Sequence, residues 1–310
     1  MNEIVVKNLT KDYGFGRGVF DVSFSIQKGE VFGFLGPNGS GKSTTIRHLM
    51  GFSKPDSGNA QILGLDSFNN YSKFMENVGY LPGEIALPNG LTGYEFIDMM
   101  KNLKKVKDDS WTNYLIKLFE LDPSGDTKRM SLGIKRKLAI VTAFMNDPDI
   151  LILDEPTSGL DLKMQNTFIN FIKSEKKRGK TILLSSHIFS EVDAVCDRIA
   201  IIKDGKVVSE FIANDLKHKQ DKLFKIAFET KSEKEQFIKD SKDLKSYEIK
   251  DSEDCSLLIF INDTKINSLL PILSKYKIVS FEHIKETLED YFMKYYKEDK
   301  DFGGALWQKI

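Results

Sequence analysis

The chain has few cysteines, no long apolar stretch and no net charge, and each shortage removes a class of function. Only Cys196 and Cys255 occur in 310 residues, far apart and outside any CxxC pattern. That excludes a disulfide framework and fits unpaired thiols in a reducing compartment. Lys plus Arg and Asp plus Glu both number 45, so the formal net charge is zero. Such a balance does not suit a nucleic-acid-coating protein, and no nucleic-acid partner is expected. The longest apolar runs are short pieces such as Ile150–Leu153 and Leu257–Ile261. A membrane-spanning helix needs about 20 predominantly apolar residues, so any membrane role is expected to act through a partner. The opening MNEIVVKNLTKDYG turns polar and acidic early and is not read as a secretory signal.

The length predicts one large domain plus a small one. Glu3–Leu9 and Phe20–Ile26 alternate apolar and polar residues around Gly14, Gly16 and Gly18, which predicts paired antiparallel strands. A short apolar strand, Glu30–Leu35, then runs through a glycine-rich loop into a helix over Lys42–Met50. Gly83–Pro148 reads as mainly helical, with apolar residues at helical spacing in Phe96–Lys101, Trp111–Leu121 and Leu132–Phe144. Strand Ile150–Leu153, helix Leu162–Lys177, strand Thr181–Ser185, helix Phe189–Cys196 and strand Arg198–Lys203 follow. Strands alternating with helices imply a parallel sheet with crossovers. The polar stretch Ala213–Gln220 reads as a linker. Beyond it come strand Leu223–Glu229, helix Ser232–Lys239, and strands Leu244–Lys250 and Ser256–Ile261 across Asp251–Asp254. Helix Ile266–Tyr276, strand Lys277–Phe281 and helix Ile284–Tyr296 complete it. That order is compatible with a small α+β domain of ferredoxin-like type.

Two segments carry chemistry. GPNGSGKST places Gly36, Pro37, Asn38, Gly39, Ser40, Gly41, Lys42, Ser43 and Thr44 in the pattern G-x-x-x-x-G-K-[ST], between a strand and a helix. Glycines let the backbone wrap so that its N–H groups face phosphate oxygens, and the helix N-terminus adds positive potential. Lys42 is placed to reach the β- and γ-phosphates and Ser43 to ligate Mg²⁺. The bland reading is a glycine-rich turn matching by chance, roughly once in a hundred chains of this length. The second segment is ILILDEPTSGLD, Ile150–Asp161. Asp154 emerges at the carboxyl end of a buried strand, where open α/β sheets bind ligands, and is a candidate Mg²⁺ holder, directly or through water. Glu155 beside it is placed to polarise an attacking water. Alone, this pair reads equally well as helix-capping carboxylates.

Together these segments resemble the ATP-binding cassette ATPases. The resemblance covers residues 1 to about 212 and is weaker in the tail. It implies an α/β phosphate-loop ATPase core with an N-terminal antiparallel β subdomain and a helical subdomain over about 84–145. The nucleotide-binding domain would span 1–212, the linker 213–221, and a small C-terminal α+β domain 222–310. MSLGIKRK, Met130–Lys137, stands where the family places its LSGGQ signature. Ser131 and Gly133 match it, and the family uses them to grip the γ-phosphate held by the opposite subunit. Leu132 and Ile134 depart from it. His187, in TILLSSHIFSEVD, resembles the switch histidine that contacts the γ-phosphate and the catalytic glutamate; a surface histidine at a strand end is the plain alternative. Asp161 resembles the loop aspartate that touches the partner across the dimer. Tyr13 fits the aromatic stacked on adenine, with Phe15 as its rival and a turn aromatic as the bland alternative. The clearest departure is VGYLPGEIALP, where Gly83 and Glu84 replace the usual glutamine; Glu84 is a candidate metal contact through water. GYLPGE, LTGYEF and TLEDYFMKYY resemble bacterial ABC-2 type exporters.

The resemblance implies ATP and Mg²⁺ as ligands and a head-to-tail pair of cassettes. This chain holds both halves of the composite site, so a homodimer suffices, and a heterodimer with a related ATPase is the other arrangement. It further implies a separately encoded integral membrane permease and a cytoplasmic location on the inner face of the membrane. Two readings compete with an exporter ATPase. One is a soluble cassette ATPase acting on ribosomes or DNA, disfavoured by a single phosphate loop and no sustained heptad run. The other is a regulatory module that binds ATP without turnover, disfavoured by Glu155 and His187. The tail has three candidate roles: dimerisation, regulation or partner docking.

Overall fold

The computed structural model describes residues 1–217, 221–241, 247–251, 255–284 and 287–296. It divides into two compact units, Met1–Ala213 and Asn214–Ile310. The first opens with β1 (Asn2–Asp12) and β2 (Gly18–Gln27), which pair antiparallel. Next come β3 (Val31–Leu35), α1 (Lys42–Leu49), β4 (Ser57–Ile62), β5 (Leu65–Asp66), α2 (Ser67–Phe74) and β6 (Val78–Leu81). The helical stretch holds α3 (Gly93–Leu103), α4 (Ser110–Leu118) and α5 (Leu132–Phe144). Then follow β7 (Ile150–Asp154), α6 (Leu162–Lys177), β8 (Thr181–Ser186), α7 (Phe189–Val195), β9 (Arg198–Lys203) and β10 (Lys206–Ile212), and α8 (Ala213–Lys217) begins at the last residue of this unit.

The strands form two sheets. The antiparallel sheet runs β2-β1-β4-β5 and the central sheet β10-β9-β3-β8-β7-β6, whose neighbours are parallel except β9 with β10. β3, β7 and β8 are buried at every residue. Central parallel strands are covered on both faces, which is why they read as continuous apolar runs. Phe24 of β2 stacks on Phe32 at 5.2 Å and lies 5.3 Å from Phe34, so one core joins the two sheets. A capping box starts α3: Thr92 accepts from the Glu95 amide while Glu95 accepts from the Thr92 amide. Aromatics fasten the helical stretch to α6, where Phe171 meets Trp111, Phe119 and Phe144 at 6.2, 5.5 and 5.0 Å. Offset and edge-on pairs of this kind add to plain apolar burial.

The second unit contains β11 (Asp221–Phe228), α9 (Lys231–Asp240), β12 (Tyr247–Asp251), β13 (Ser256–Asn262), α10 (Ile266–Leu273), β14 (Ile278–Ile284) and α11 (Leu288–Tyr296). Its sheet order β12-β13-β11-β14, antiparallel throughout, is the split β-α-β arrangement. Phe224, Ile226, Phe228, Leu257 and Ile259 form its core with Phe237, Leu269 and Leu273 from the helices. Where polar composition predicts a connecting segment from Ala213, the chain forms α8. Ala213 is 4 % exposed and its amide donates to the Asp197 carbonyl at 2.8 Å. Residues 218–220 of that segment lie outside the described residues. So do 244–246 of the expected strand, 252–254 of its turn, and 285–286 of the last expected helix.

Towards its end α1 buries a histidine. His48 is 1 % exposed, and its Nδ1 lies 2.7 Å from the Ser53 carbonyl, which fixes Nδ1 as the protonated nitrogen. Nε2 has no partner among the described residues. Burial holds the imidazole below its ordinary proton affinity. A second proton has no acceptor here, so the folded state favours neutral His48. That contribution is complete above about pH 6.5 and is lost as pH falls from there through the lower folded value. Denaturant titrations at pH 7.5 and 5.5 should show a loss at the lower pH that is smaller in His48→Gln. Equal losses in both proteins would assign the pH dependence elsewhere.

Candidate nucleotide site

The strand order decides where the chemistry collects. β3 lies between β9 and β8, and β7 lies beyond β8. The carboxyl ends of β3, β8 and β7 therefore sit side by side. From them emerge the loop of Gly36–Gly41, the segment Ser186–His187 and the pair Asp154–Glu155.

The loop has its shape because side chains do not fit. A Cβ at Gly36 would lie 2.5 Å from the Ile202 carbonyl, and one at Gly41 would lie 2.8 Å from Val19 Cγ1. Gly41 adopts φ 110° at the start of α1, a conformation that glycine tolerates. No side chain caps α1, which leaves its first amides free to serve a ligand. Ser40 Oγ is buried without a hydrogen-bond partner. Lys42 is 5 % exposed, and its ammonium donates to the carbonyls of Gly36 at 2.6 Å and Pro37 at 3.1 Å. It also lies 3.0 Å from Glu155 Oε1. That contact is an ion pair without aligned hydrogen-bond geometry, since Oε1 has no hydrogen-bond partner. Ser43 is exposed at the mouth, Thr44 is half-buried, and Asn38 and Gly39 are exposed on the loop's tip.

Opposite the loop, Asp154 is 3 % exposed and accepts from the Ser185 hydroxyl. Glu155 has φ 47°, unusual for a residue with a long side chain. Its amide donates to the Ser185 carbonyl at 3.1 Å, and its Oε2 accepts from His187 Nδ1 at 2.7 Å. A carboxylate is thus held between an ammonium and an imidazole at the end of the sheet. Beneath it, Glu191 is 5 % exposed and accepts from the Thr157 hydroxyl, and from Ser186 Oγ at 2.9 Å. Burial raises its proton affinity. This brace, Ser185, Ser186, Thr157 and Glu191, was invisible in the sequence because single polar residues at a strand end, in a turn and in a short helix carry no periodic signal. Burial, reinforced by the charge of Asp154, pushes the Tyr80 phenol up to about 12.

The remaining candidates are distributed around this centre. Ser131 caps α5, accepting from the Ile134 amide at 3.4 Å. Gly133 packs so that a Cβ would lie 3.1 Å from the Gly159 carbonyl. Leu132 is 57 % exposed and lies over Gly159. Asp161 caps α6 through the Met164 amide at 2.9 Å. Tyr13 is half-exposed in a turn closed by its amide on the Arg17 carbonyl at 2.8 Å, and Phe15 at the tip is fully exposed. Glu84 is exposed, and it is the neighbouring Gly83 that abuts Asp154.

A glycine-lined, uncapped helix start facing buried Asp154 and half-buried Glu155 across parallel strands defines a phosphate-loop mononucleotide-binding ATPase fold. Comparison with known proteins narrows this. The ABC transporter family model matches residues 19–158. An uncharacterised ABC transporter ATP-binding protein of Bacillus subtilis is 38 % identical over 210 residues, 66 % of this chain and 68 % of its own. The bacitracin transport ATP-binding protein of Bacillus licheniformis is 30 % identical over 301 residues, 94 % of this chain and 96 % of its own. Among solved structures, a dimeric bacterial ABC transporter cassette superposes with TM-score 0.62 at 26 % identity, over 68 % of this chain and 98 % of that one. The chain belongs to the ATP-binding proteins of ABC transporters. No helix among the described residues is long and apolar enough to cross a membrane.

Proposed function

We propose that this chain binds Mg-ATP in the Gly36–Thr44 loop, hydrolyses it with Glu155, and thereby drives export through a separate transmembrane permease. The observation that carries this reading is the convergence of Lys42, Glu155 and His187 within 3.0 and 2.7 Å at the carboxyl ends of three parallel strands.

The donor set suits the ligand. The loop's amides and the Lys42 ammonium match polyphosphate oxygens, and the glycines leave room for close backbone approach. Ser43 and Asp154 offer hard oxygen ligands for Mg²⁺, with Glu84 proposed as a contact through water. Bound there, the metal would neutralise charge on the β- and γ-phosphate oxygens. Lys42 would exchange its loop carbonyls for phosphate oxygens. Glu155 would orient water and accept its proton, while His187 holds Oε2 of that carboxylate. Tyr13 would offer its ring to adenine.

Ser131 and Gly133 sit at the start of α5, and Asp161 at the start of α6. We assign them to the seam with a second cassette, where Ser131 and Gly133 face the partner's nucleotide. Closure then follows from the better binding of ATP to the closed pair. A solved relative is a dimeric bacterial cassette, and relatives are named for bacitracin transport and Nod factor export. Those names support an exporter, and we place the chain at the inner membrane face through its permease. The residue ranges 1–212, 213–221 and 222–310 remain our domain assignment, and we give the last the role of dimer support.

Phosphate release from Mg-ATP by the purified chain, alone and with its integral membrane permease, tests the whole reading. Turnover that rises with that partner is expected. Retention of ATP without hydrolysis in either state would favour a regulatory module instead.

A further inference from the structure

Arg136 lies within MSLGIKRK, Met130–Lys137, but outside the positions given a role above. It lies in the second turn of α5, the helix begun by Ser131 and Gly133, and is 1 % exposed. A buried guanidinium demands acceptors, because stripping it of water is costly. Three backbone carbonyls supply them: Nη1 donates to Pro82 at 2.8 Å, Nη2 to Gly83 at 2.6 Å and Nε to Ser158 at 2.9 Å. Burial lowers its proton affinity, and the nearby charges of Asp154 and Glu155 offset part of that.

Both gripped segments adjoin the reacting carboxylates. Gly83 backs onto Asp154, since a Cβ there would lie 3.0 Å from Oδ2. Ser158 closes the turn that leaves Glu155, its amide donating to the Glu155 carbonyl at 3.2 Å. Glu155 holds its left-handed φ only because its surroundings enforce it. Arg136 therefore joins three segments far apart in sequence: the start of α5, the strand exit at Pro82–Gly83, and the turn after Glu155. The planar fork of arginine spans acceptors in different directions, which a lysine ammonium on its flexible stem does not.

We propose that Arg136 is a positioning residue that makes the helix carrying Ser131 and Gly133 and the backbone around Asp154 and Glu155 one mechanical unit. Movement of α5 is then transmitted to both carboxylates through the carbonyls of Gly83 and Ser158. Arg136 itself touches no reacting atom. This inference rests on the roles proposed above for Asp154 and Glu155.

Arg136→Lys in the full chain tests it. Hydrogen exchange without nucleotide should accelerate about tenfold or more in amides 79–86 and 155–160, the effect of losing a charged hydrogen bond. The ATP dissociation constant should stay within about twofold, because the phosphate loop is untouched, while kcat falls about tenfold or more. Unchanged exchange in both segments with unchanged kcat overturns the inference. So does faster exchange throughout Met1–Ala213 with a parallel loss of ATP affinity, which marks general loosening. If Arg136→Lys does not fold, the parent chain decides. Amides 79–86, 132–136 and 155–160 should then open as one cooperative unit with one denaturant dependence, and three separate opening free energies would refute the proposal. A parent that fails to hydrolyse ATP sinks the ATPase reading, whereas an active parent matched by its variant sinks only this inference.

Discussion

Glu155→Gln should keep ATP and almost stop cutting it. Phosphate release is expected to fall about 10²–10⁴-fold, the typical contribution of a positioned general base. Glutamine has the same shape and the same backbone preferences, so the turn at φ 47° is retained. Its amide still reaches His187, which lies 2.7 Å from Oε2 in the parent. What disappears is the ability to take a proton, together with the negative charge facing Lys42. Nucleotide should therefore remain bound, and the closed pair should accumulate. Steady-state phosphate release and light scattering with ATP and Mg²⁺ measure both effects. A variant that releases phosphate near the parent rate would remove Glu155 from the mechanism.

Lys42→Ala should abolish the grip on the phosphates. Its ammonium is almost fully buried and already satisfied by two carbonyls and a carboxylate, so it is held in place rather than waving in solvent. Hydrogen bonds to charged groups contribute about 1.5–3 kcal/mol, which corresponds to roughly 10–150-fold in dissociation constant. The loop itself should persist, because its course is set by the glycines and by packing of Gly41 against Val19. Titration calorimetry reads the affinity, and circular dichroism confirms the fold. An ATP dissociation constant equal to that of the parent would refute the assignment.

These two variants probe residues that were legible before any coordinates. The phosphate loop announces itself because its requirements are local: glycine where a Cβ cannot fit, lysine at the first turn of the following helix. The buried strands were legible for a similar reason, as parallel strands covered on both faces must be apolar throughout. Periodicity placed α5 at Leu132–Phe144, α6 at Leu162–Lys177 and β9 at Arg198–Lys203, with the same ends in the structure. Other elements escaped. β4, with SGNAQI, buries only Ala60 and Ile62. β10 is an edge strand with no buried residue, and β6 is four residues long with a glycine in it. Such strands are held by their neighbours and not by their own pattern. α8 was missed because a polar stretch suits a linker and a short helix equally.

The sequence by itself determined the chemical vocabulary: a loop shaped for phosphate, an Asp–Glu pair at a strand end, a family membership, and a set of motif departures. Those depend on residue type and short spacing, which the chain displays directly. The tertiary structure decided who meets whom. It set Glu155 between Lys42 and His187, placed Glu191 beneath them, put Gly83 rather than Glu84 against Asp154, and ran Arg136 between three distant segments. Contacts across dozens of residues arise from sheet order and from the need of buried polar groups for partners, and neither is written in local pattern.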